Sequence, residues 1–265
     1  MARRGRESRL WTKNYSLDPT RTELALSLVE DPTADSADEA WCSWLIWPAA
    51  KVLVGYLSTL ACDGLIGRSV LELGSGCGIV GMYLAQRGSS PVVLTDVYRA
   101  LPLLKRNVAL NKLQNCCDVC PLPWGTPLKL LGEPIRNRTP FNLVVASDCS
   151  YDFVAPDRPS PSLDALLTSI QLGERALVCV SRRPNEVEAF TAALERAQLT
   201  PTVVHQGTLD ASVEGVGECL VFSFDFTKPA PDDPACPTGG DARHETPVVE
   251  ATAEVAAAEV VSTAA

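Results

Sequence analysis

The stretch Val70-Leu71-Glu72-Leu73-Gly74-Ser75-Gly76-Cys77-Gly78 constrains the fold more than any other part of the chain. An apolar, strand-like run meets three glycines within five residues, and a helical pattern follows at once with Ile79, Met82 and Tyr83 on one face. Such a passage uses backbone conformations that a side chain resists, and it lets another group lie directly against the main chain. It reads as a strand, a sharp turn and a helix. The glycines answer either to a bound ligand or to a tight corner alone.

The same alternation continues along the chain. Strands are expected at 69–73, 92–95, 118–120, 141–146, 176–180, 202–205 and 218–226, with helices at 49–60, 78–87, 101–110, 163–170 and 186–197. This order gives an α/β fold with a doubly wound, mostly parallel sheet that binds ligands beyond the carboxyl ends of its strands. Residues 1–40 read as an N-terminal extension, partly flexible, and 41–227 as the folded domain. From 228 to 265 Pro, Ala, Thr and Glu dominate and no aromatic residue occurs, which predicts a disordered acidic tail. The Pro-rich connection 121–140 is long for a compact domain and is expected to fold over something.

Composition excludes several classes of function. The net charge is −9, of which seven acids against two basic residues place −5 on the tail and leave −4 on the body. Neither part offers the positive field on which sequence-independent nucleic-acid binding relies, so no nucleic-acid partner is expected. No apolar run approaches the roughly 18 residues of a membrane span, and Arg3, Arg4 and Arg6 are not followed by a secretion signal. The expectation is a monomer without a membrane partner, in the cytoplasm or alternatively the nucleus. Ten cysteines scattered through apolar segments suit free thiols in a reducing compartment. The one tight cluster, Cys116, Cys117 and Cys120, has only His205 and His244 to join it, and no metal site is expected.

Two ligands compete for the glycine loop. Gly76, Gly78 and Gly81 fit G-x-G-x-x-G, with Asp96 at the distance of a ribose-binding acid, so a dinucleotide-dependent oxidoreductase stays open. A pyrophosphate at the helix N-terminus would, however, be opposed by the Glu72 carboxylate. S-adenosylmethionine carries no phosphate, and its ammonium group would welcome that charge. The register favours it too, since Gly74 and not Gly76 follows the strand directly. Asp96 closes the next strand, where it can accept from ribose hydroxyls or cap a helix.

An ordered set of segments then resembles the seven-β-strand (class I) protein-lysine methyltransferases of the methyltransferase-16 type. It comprises Leu45-Ile46-Trp47-Pro48-Ala49-Ala50, the glycine loop through Gly81, Thr95-Asp96, Asn107-Val108-Ala109-Leu110-Asn111, Leu122-Pro123-Trp124-Gly125 and Ala146-Ser147-Asp148-Cys149-Ser150-Tyr151. The likeness covers about 41–226. It implies a Rossmann-like seven-stranded sheet, S-adenosylmethionine as cofactor, and methyl transfer to a lysine of a protein substrate of chaperone or translation-factor type.

Carried over position by position, the resemblance puts Trp47 at the methionine end of the cofactor, Gly74 and Gly76 against its backbone, Asp96 on its ribose and Trp124 over its adenine. Glu72, Ser75 and Ser147 complete the cofactor set. Asp148 and Tyr151 match the family's D-x-x-Y motif at the mouth for the acceptor lysine. Without the family, both tryptophans would read as core aromatics and Asp148 as a cap. The segment 152–162, with Pro156, Pro159 and Pro161, is longer than the family pattern suggests. A small-molecule N-methyltransferase acting on a nicotinamide-like amine would share fold and cofactor, and a non-catalytic binding module would keep the same pocket.

The chemistry needs an acceptor amine in line with the methyl group, and no metal or covalent intermediate. Asp148 is expected to recruit and orient the incoming lysine ammonium, with the ring or hydroxyl of Tyr151 contacting the same group.

Overall fold

The computed structural model describes residues 10–17, 24–31, 41–61, 64–150, 159–208 and 218–227. Tyr151 and the tail from 228 lie outside them. Strands β1 (Trp11–Ser16) and β2 (Ala25–Glu30) pair antiparallel, Trp11 opposite Glu30. The N-terminal extension, expected to be partly flexible, contains this β-hairpin. Its reason lies in β2, where Leu26, Leu28 and Val29 are all buried.

Helix α1 (Pro48–Thr59) follows, with Pro48 at its first turn, where a missing N–H costs nothing. Then come β3 (Val70–Leu73), α2 (Ile79–Gln86), β4 (Val92–Asp96), α3 (Leu101–Leu110) and β5 (Cys117–Pro121). The connection after β5 carries a short helix α4 (Glu133–Arg136). The chain continues through β6 (Leu143–Ser147), α5 (Pro161–Ile170), β7 (Arg175–Ser181), α6 (Glu186–Arg196), β8 (Thr202–Thr208) and β9 (Glu218–Asp225).

Strands β3 to β9 form one seven-stranded sheet in the order β5-β4-β3-β6-β7-β9-β8, with β9 antiparallel to both neighbours and the other pairs parallel. The chain leaves β3 toward β4 on one side and returns to β6 on the other. The crevice at this reversal, beyond the carboxyl ends of β3 and β6, is where open α/β sheets bind ligands.

Both faces are covered, so the central strands are apolar along most of their length. Val70, Val92 and Leu94 face the layer of α1, α2 and α3, while Leu71, Leu73 and Val93 face α5 and α6. Each buried leucine contributes about 1.5–3 kcal/mol relative to exposure.

The hairpin is held against this layer by α3. Asn107 accepts from the Val29 N–H (2.8 Å) and donates to the Val29 and Cys77 carbonyls (3.2 and 3.0 Å). One helical turn on, Asn111 accepts from the Ser27 N–H (2.9 Å) and donates to the Ser27 carbonyl (2.8 Å). Two side-chain amides four residues apart thereby treat β2 as a neighbouring strand would.

Candidate active site

The loop Gly74–Gly78 turns through left-handed backbone, with φ of 60° at Gly74 and 52° at Gly76. A Cβ on Gly74 would stand 2.7 Å from Cys149 Sγ and 3.1 Å from the Trp124 ring, and one on Gly76 would stand 3.2 Å from the Ser43 carbonyl. Ser75 ties the loop to β4: its N–H donates to the Thr95 carbonyl (2.8 Å) and its hydroxyl accepts from the Thr95 N–H (3.0 Å).

Opposite the loop lies a 3-10 turn, Trp41–Trp44, suspended from the end of β2. The Asp31 N–H donates to the Trp44 carbonyl (3.0 Å), and Glu30 accepts from the Ile46 N–H (3.3 Å). The Trp47 indole N–H donates to the Cys42 carbonyl (2.6 Å). The hairpin therefore sets the position of this turn and of Trp47.

Between turn and loop opens a cavity of about 370 Å³ at the switch point of the sheet. Trp47, Gly74, Ser75, Gly76, Asp96, Trp124, Ser147 and Asp148, all expected from the sequence, line it together. Mostly apolar walls with a few convergent polar groups are typical of a small-molecule site. Trp124 comes from the Pro-rich connection, which is anchored by the Gly125 N–H donating to Ser169 Oγ (2.9 Å).

A family model described as lysine methyltransferase matches residues 26–197, from β2 to the last turn of α6. The chain belongs to the lysine methyltransferase family. Among curated relatives, protein-lysine N-methyltransferase EFM6 of Saccharomyces cerevisiae is 32% identical over 145 residues, covering 48% of this chain and 57% of the relative. EEF1A lysine methyltransferase 3 of Xenopus tropicalis is 41% identical over 81 residues, covering 30% and 35% respectively. The chain thus spans well under two thirds of the length of these curated relatives. A solved candidate SAM-dependent methyltransferase of Streptococcus mutans superposes with a TM-score of 0.54 at 13% identity, over 83% of this chain and 56% of that one, and shows the shared fold.

Within this member of the family, Asp96 ends β4 with its carboxylate turned into the cavity. Oδ2 accepts from the Gly76 N–H (2.7 Å), and Oδ1 accepts from the Val97 N–H (2.7 Å) and the Ser43 hydroxyl (3.0 Å). Of roughly four acceptor sites on a carboxylate, three are used. One remains for a ligand hydroxyl, and a second becomes free if Ser43 lets go. Burial pushes the Asp96 pKa up, against the pull of the Gly76, Val97 and Ser43 hydrogen bonds.

Glu72 departs from expectation. It shares the Val70 face of β3, so strand alternation directs it beneath α2 and away from the cavity, where it accepts from the Gly81 N–H (3.1 Å). A Cβ on Gly81 would collide with Leu94 and Glu72. Burial pushes the Glu72 pKa up to about 8, so the group is mainly neutral at pH 7. It does not line the cavity, and a neutral carboxyl neither attracts an ammonium group nor opposes a pyrophosphate.

Asp148 departs as well. It sits just past β6 in left-handed backbone (φ 56°), with a side chain only 2% exposed. Both oxygens are gripped by Arg183, Nη1 to Oδ1 at 2.6 Å and Nη2 to Oδ2 at 2.8 Å, and Oδ1 also accepts from the Ser181 hydroxyl (2.9 Å). The expected open carboxylate, waiting for a lysine ammonium, is instead one half of a closed ion pair. Tyr151, its expected companion, lies outside the described residues.

Arg183 and Ser43 went unrecognised in the sequence. Arg183 also reaches Glu186 (2.9 Å), and its guanidinium lies 5.6 Å from the Trp47 ring centre. A signal existed: opposite charges just past the ends of two expected strands meet if those strands are neighbours. Ser43, in a turn between two tryptophans, offered none.

Proposed function

We propose that the chain is an S-adenosylmethionine-dependent methyltransferase that modifies a lysine side chain of a protein. The observation that carries this reading is the cavity at the switch point, built from segments that fall largely within the family match and lined by Gly74, Gly76, Asp96 and Trp124.

The lining suits the cofactor. Gly74 and Gly76 line the cavity without a side chain, Asp96 keeps acceptor capacity for ribose hydroxyls, and the Trp124 ring offers a flat apolar face for a base. Trp47, Ser147 and the Asp148–Arg183 pair form the remaining wall. When bound, S-adenosylmethionine supplies a methyl group on a positively charged sulfur. The residues of this chain orient and desolvate. No side chain is required to form a covalent bond.

An acceptor lysine must arrive as the free amine, which at neutral pH costs roughly 4 kcal/mol unless its surroundings lower its pKa. Several curated relatives are named for protein substrates, among them EEF1A and the electron transfer flavoprotein β subunit. That supports a protein as acceptor here.

The test is incubation with labelled S-adenosylmethionine and a methyltransferase-deficient cell extract, followed by mass spectrometry of the labelled band. Methyl-lysine in a protein is the expected product. Label found only in small amines would replace this reading with a small-molecule N-methyltransferase.

A further inference from the structure

The network around Asp148 poses a chemical problem that its geometry also answers. A bare carboxylate beside an acceptor lysine would stabilise the ammonium form and raise the amine's pKa, the wrong direction for methyl acceptance. Here the carboxylate is not bare. Arg183 takes both oxygens in a two-pronged bond, the Ser181 hydroxyl adds a third contact, and only 2% of the Asp148 side chain is exposed.

Arg183 is itself fixed from three sides, by Asp148, by Glu186 on α6 (2.9 Å), and by the face of Trp47 (5.6 Å). Glu186 is held in turn by the Ser150 hydroxyl (2.6 Å). The ends of β6 and β7, the start of α6 and the start of α1 are thereby joined through one guanidinium at the cavity wall.

We propose that Arg183 is a positioning residue for methyl acceptance: it keeps Asp148 neutralised and fixed, so that an incoming amine meets a closed ion pair instead of an open carboxylate. This rests on the lysine methyltransferase reading above. It assigns to Arg183 a role at the acceptor side of the cavity, separate from holding the cofactor.

Other ionisable groups face the pair. Burial pushes Glu186 up, against the pull of Ser150 and Arg183. Partial burial opposes the charge on Arg183, yet Asp148 and Glu186 hold its pKa above the ordinary arginine value. Burial raises the Cys149 thiol, and a hydrogen bond with Cys219 raises Cys179 while lowering Cys219. Asp148 raises and Arg183 lowers the Cys219 pKa, so the variants below are also compared in a Cys219→Ser background, where the displacements must persist.

The experiment measures the initial rate of methyl-lysine formation from pH 6 to 10, with labelled S-adenosylmethionine and a methyltransferase-deficient extract as acceptor. Three variants are compared with the wild type: Arg183→Gln, Asp148→Asn and the double variant. Arg183→Gln leaves an open carboxylate, and the acidic limb of its profile should move about one pH unit or more upward, a loss of roughly tenfold at pH 7. Asp148→Asn leaves the guanidinium with Glu186 alone, and its limb should move downward. The double variant should return to near the wild-type midpoint. Calorimetry with S-adenosylhomocysteine gives each variant's dissociation constant, and every rate is read at a cofactor concentration that saturates that variant, because the pair also lines the cofactor cavity.

A merely structural Arg183 would lower the rate in both single variants without opposite displacements, and that result overturns the proposal. So does a large loss of S-adenosylhomocysteine affinity with an unmoved midpoint, which would put Arg183 on the cofactor. If Arg183→Gln does not fold, Asp148→Asn decides alone, a downward shift supporting the proposal and an unmoved or raised limb refuting it. A wild type that labels no lysine refutes the lysine reading and this proposal together, whereas lysine labelling with unmoved limbs refutes the proposal alone.

Discussion

The guanidinium of Arg183 and the carboxylate of Asp148 meet through two parallel bonds, 2.6 and 2.8 Å long, at the adjacent ends of β7 and β6. Asp148→Asn removes the charge and leaves an amide that cannot accept on both sides of the fork. Arg183 keeps Glu186, so it is not left as a lone buried charge. A loss of about 1–3 kcal/mol in unfolding free energy is expected, read as a lower urea midpoint with an unchanged slope. Unaltered stability would show that the pair contributes nothing net, as some ion pairs do.

Asp96→Ala should act on binding and stability together. The carboxylate accepts from Gly76, Val97 and Ser43, so its removal strands two backbone N–H groups and a hydroxyl in a residue environment only 6% exposed. We expect no calorimetric heat with S-adenosylhomocysteine and a destabilisation of about 2–4 kcal/mol. Wild-type affinity in the folded variant would remove Asp96 from the cofactor site.

Glu72 gives the protein an alkaline weakness. Its pKa is about 8 in the fold against 4.5 for the unperturbed group, so the native state holds a proton that the unfolded chain releases earlier. For an acid raised by folding, the associated stability is fully present below the unfolded pKa and is lost as pH rises through the folded one. Melting temperature should therefore decline from about pH 4.5 to about pH 8 through this group. Glu72→Gln keeps an acceptor for the Gly81 N–H and has nothing to ionise. It should lose less stability than the wild type between pH 6 and 9, measured by thermal unfolding across that range. Parallel curves for the two proteins would refute the assignment.

Much of the fold was legible because helices and strands here obey their own periods. Helix Leu101–Leu110 has the expected bounds, and the strands of the sheet fall within two residues of expectation at most ends. Strand β2 was not read, since its pattern Ala25–Glu30 is short and stands apart from the alternating region; its partner is a pair of asparagine side chains as much as β1. At the site, the lining residues were legible where a motif fixed them to a loop. Glu72 misled because its type suggested a ligand, while the two-residue period of β3 placed it on the Val70 face. Arg183 was hidden because its contact with Asp148 depends on strand order, which joins residues 35 positions apart.

That dependence of the site on distant contacts yields the last prediction, at Asn107. Its side chain is fully buried and binds the Val29 N–H and carbonyl and the Cys77 carbonyl, linking α3, the hairpin and the glycine loop. The end of β2 in turn suspends the turn 41–44 and Trp47 through Asp31 and Glu30. Asn107→Ala leaves one donor and two acceptors without partners, and Asn107→Asp restores the acceptor for Val29 but not the two donors. The alanine variant should lose about 2–4 kcal/mol and the aspartate variant a comparable amount, because a buried carboxylate facing two carbonyls is unfavourable. Asn107 does not line the cavity, so a simple local role would leave ligand binding untouched. If the hairpin positions the turn, S-adenosylhomocysteine affinity should fall by roughly tenfold in protein that remains folded, since a misplaced wall costs about 1.4 kcal/mol of binding. Hydrogen exchange at Val29 and Ile46 should rise together in the same variant. Faster exchange at Val29 alone, with full affinity, would show that the hairpin and the cavity wall are uncoupled.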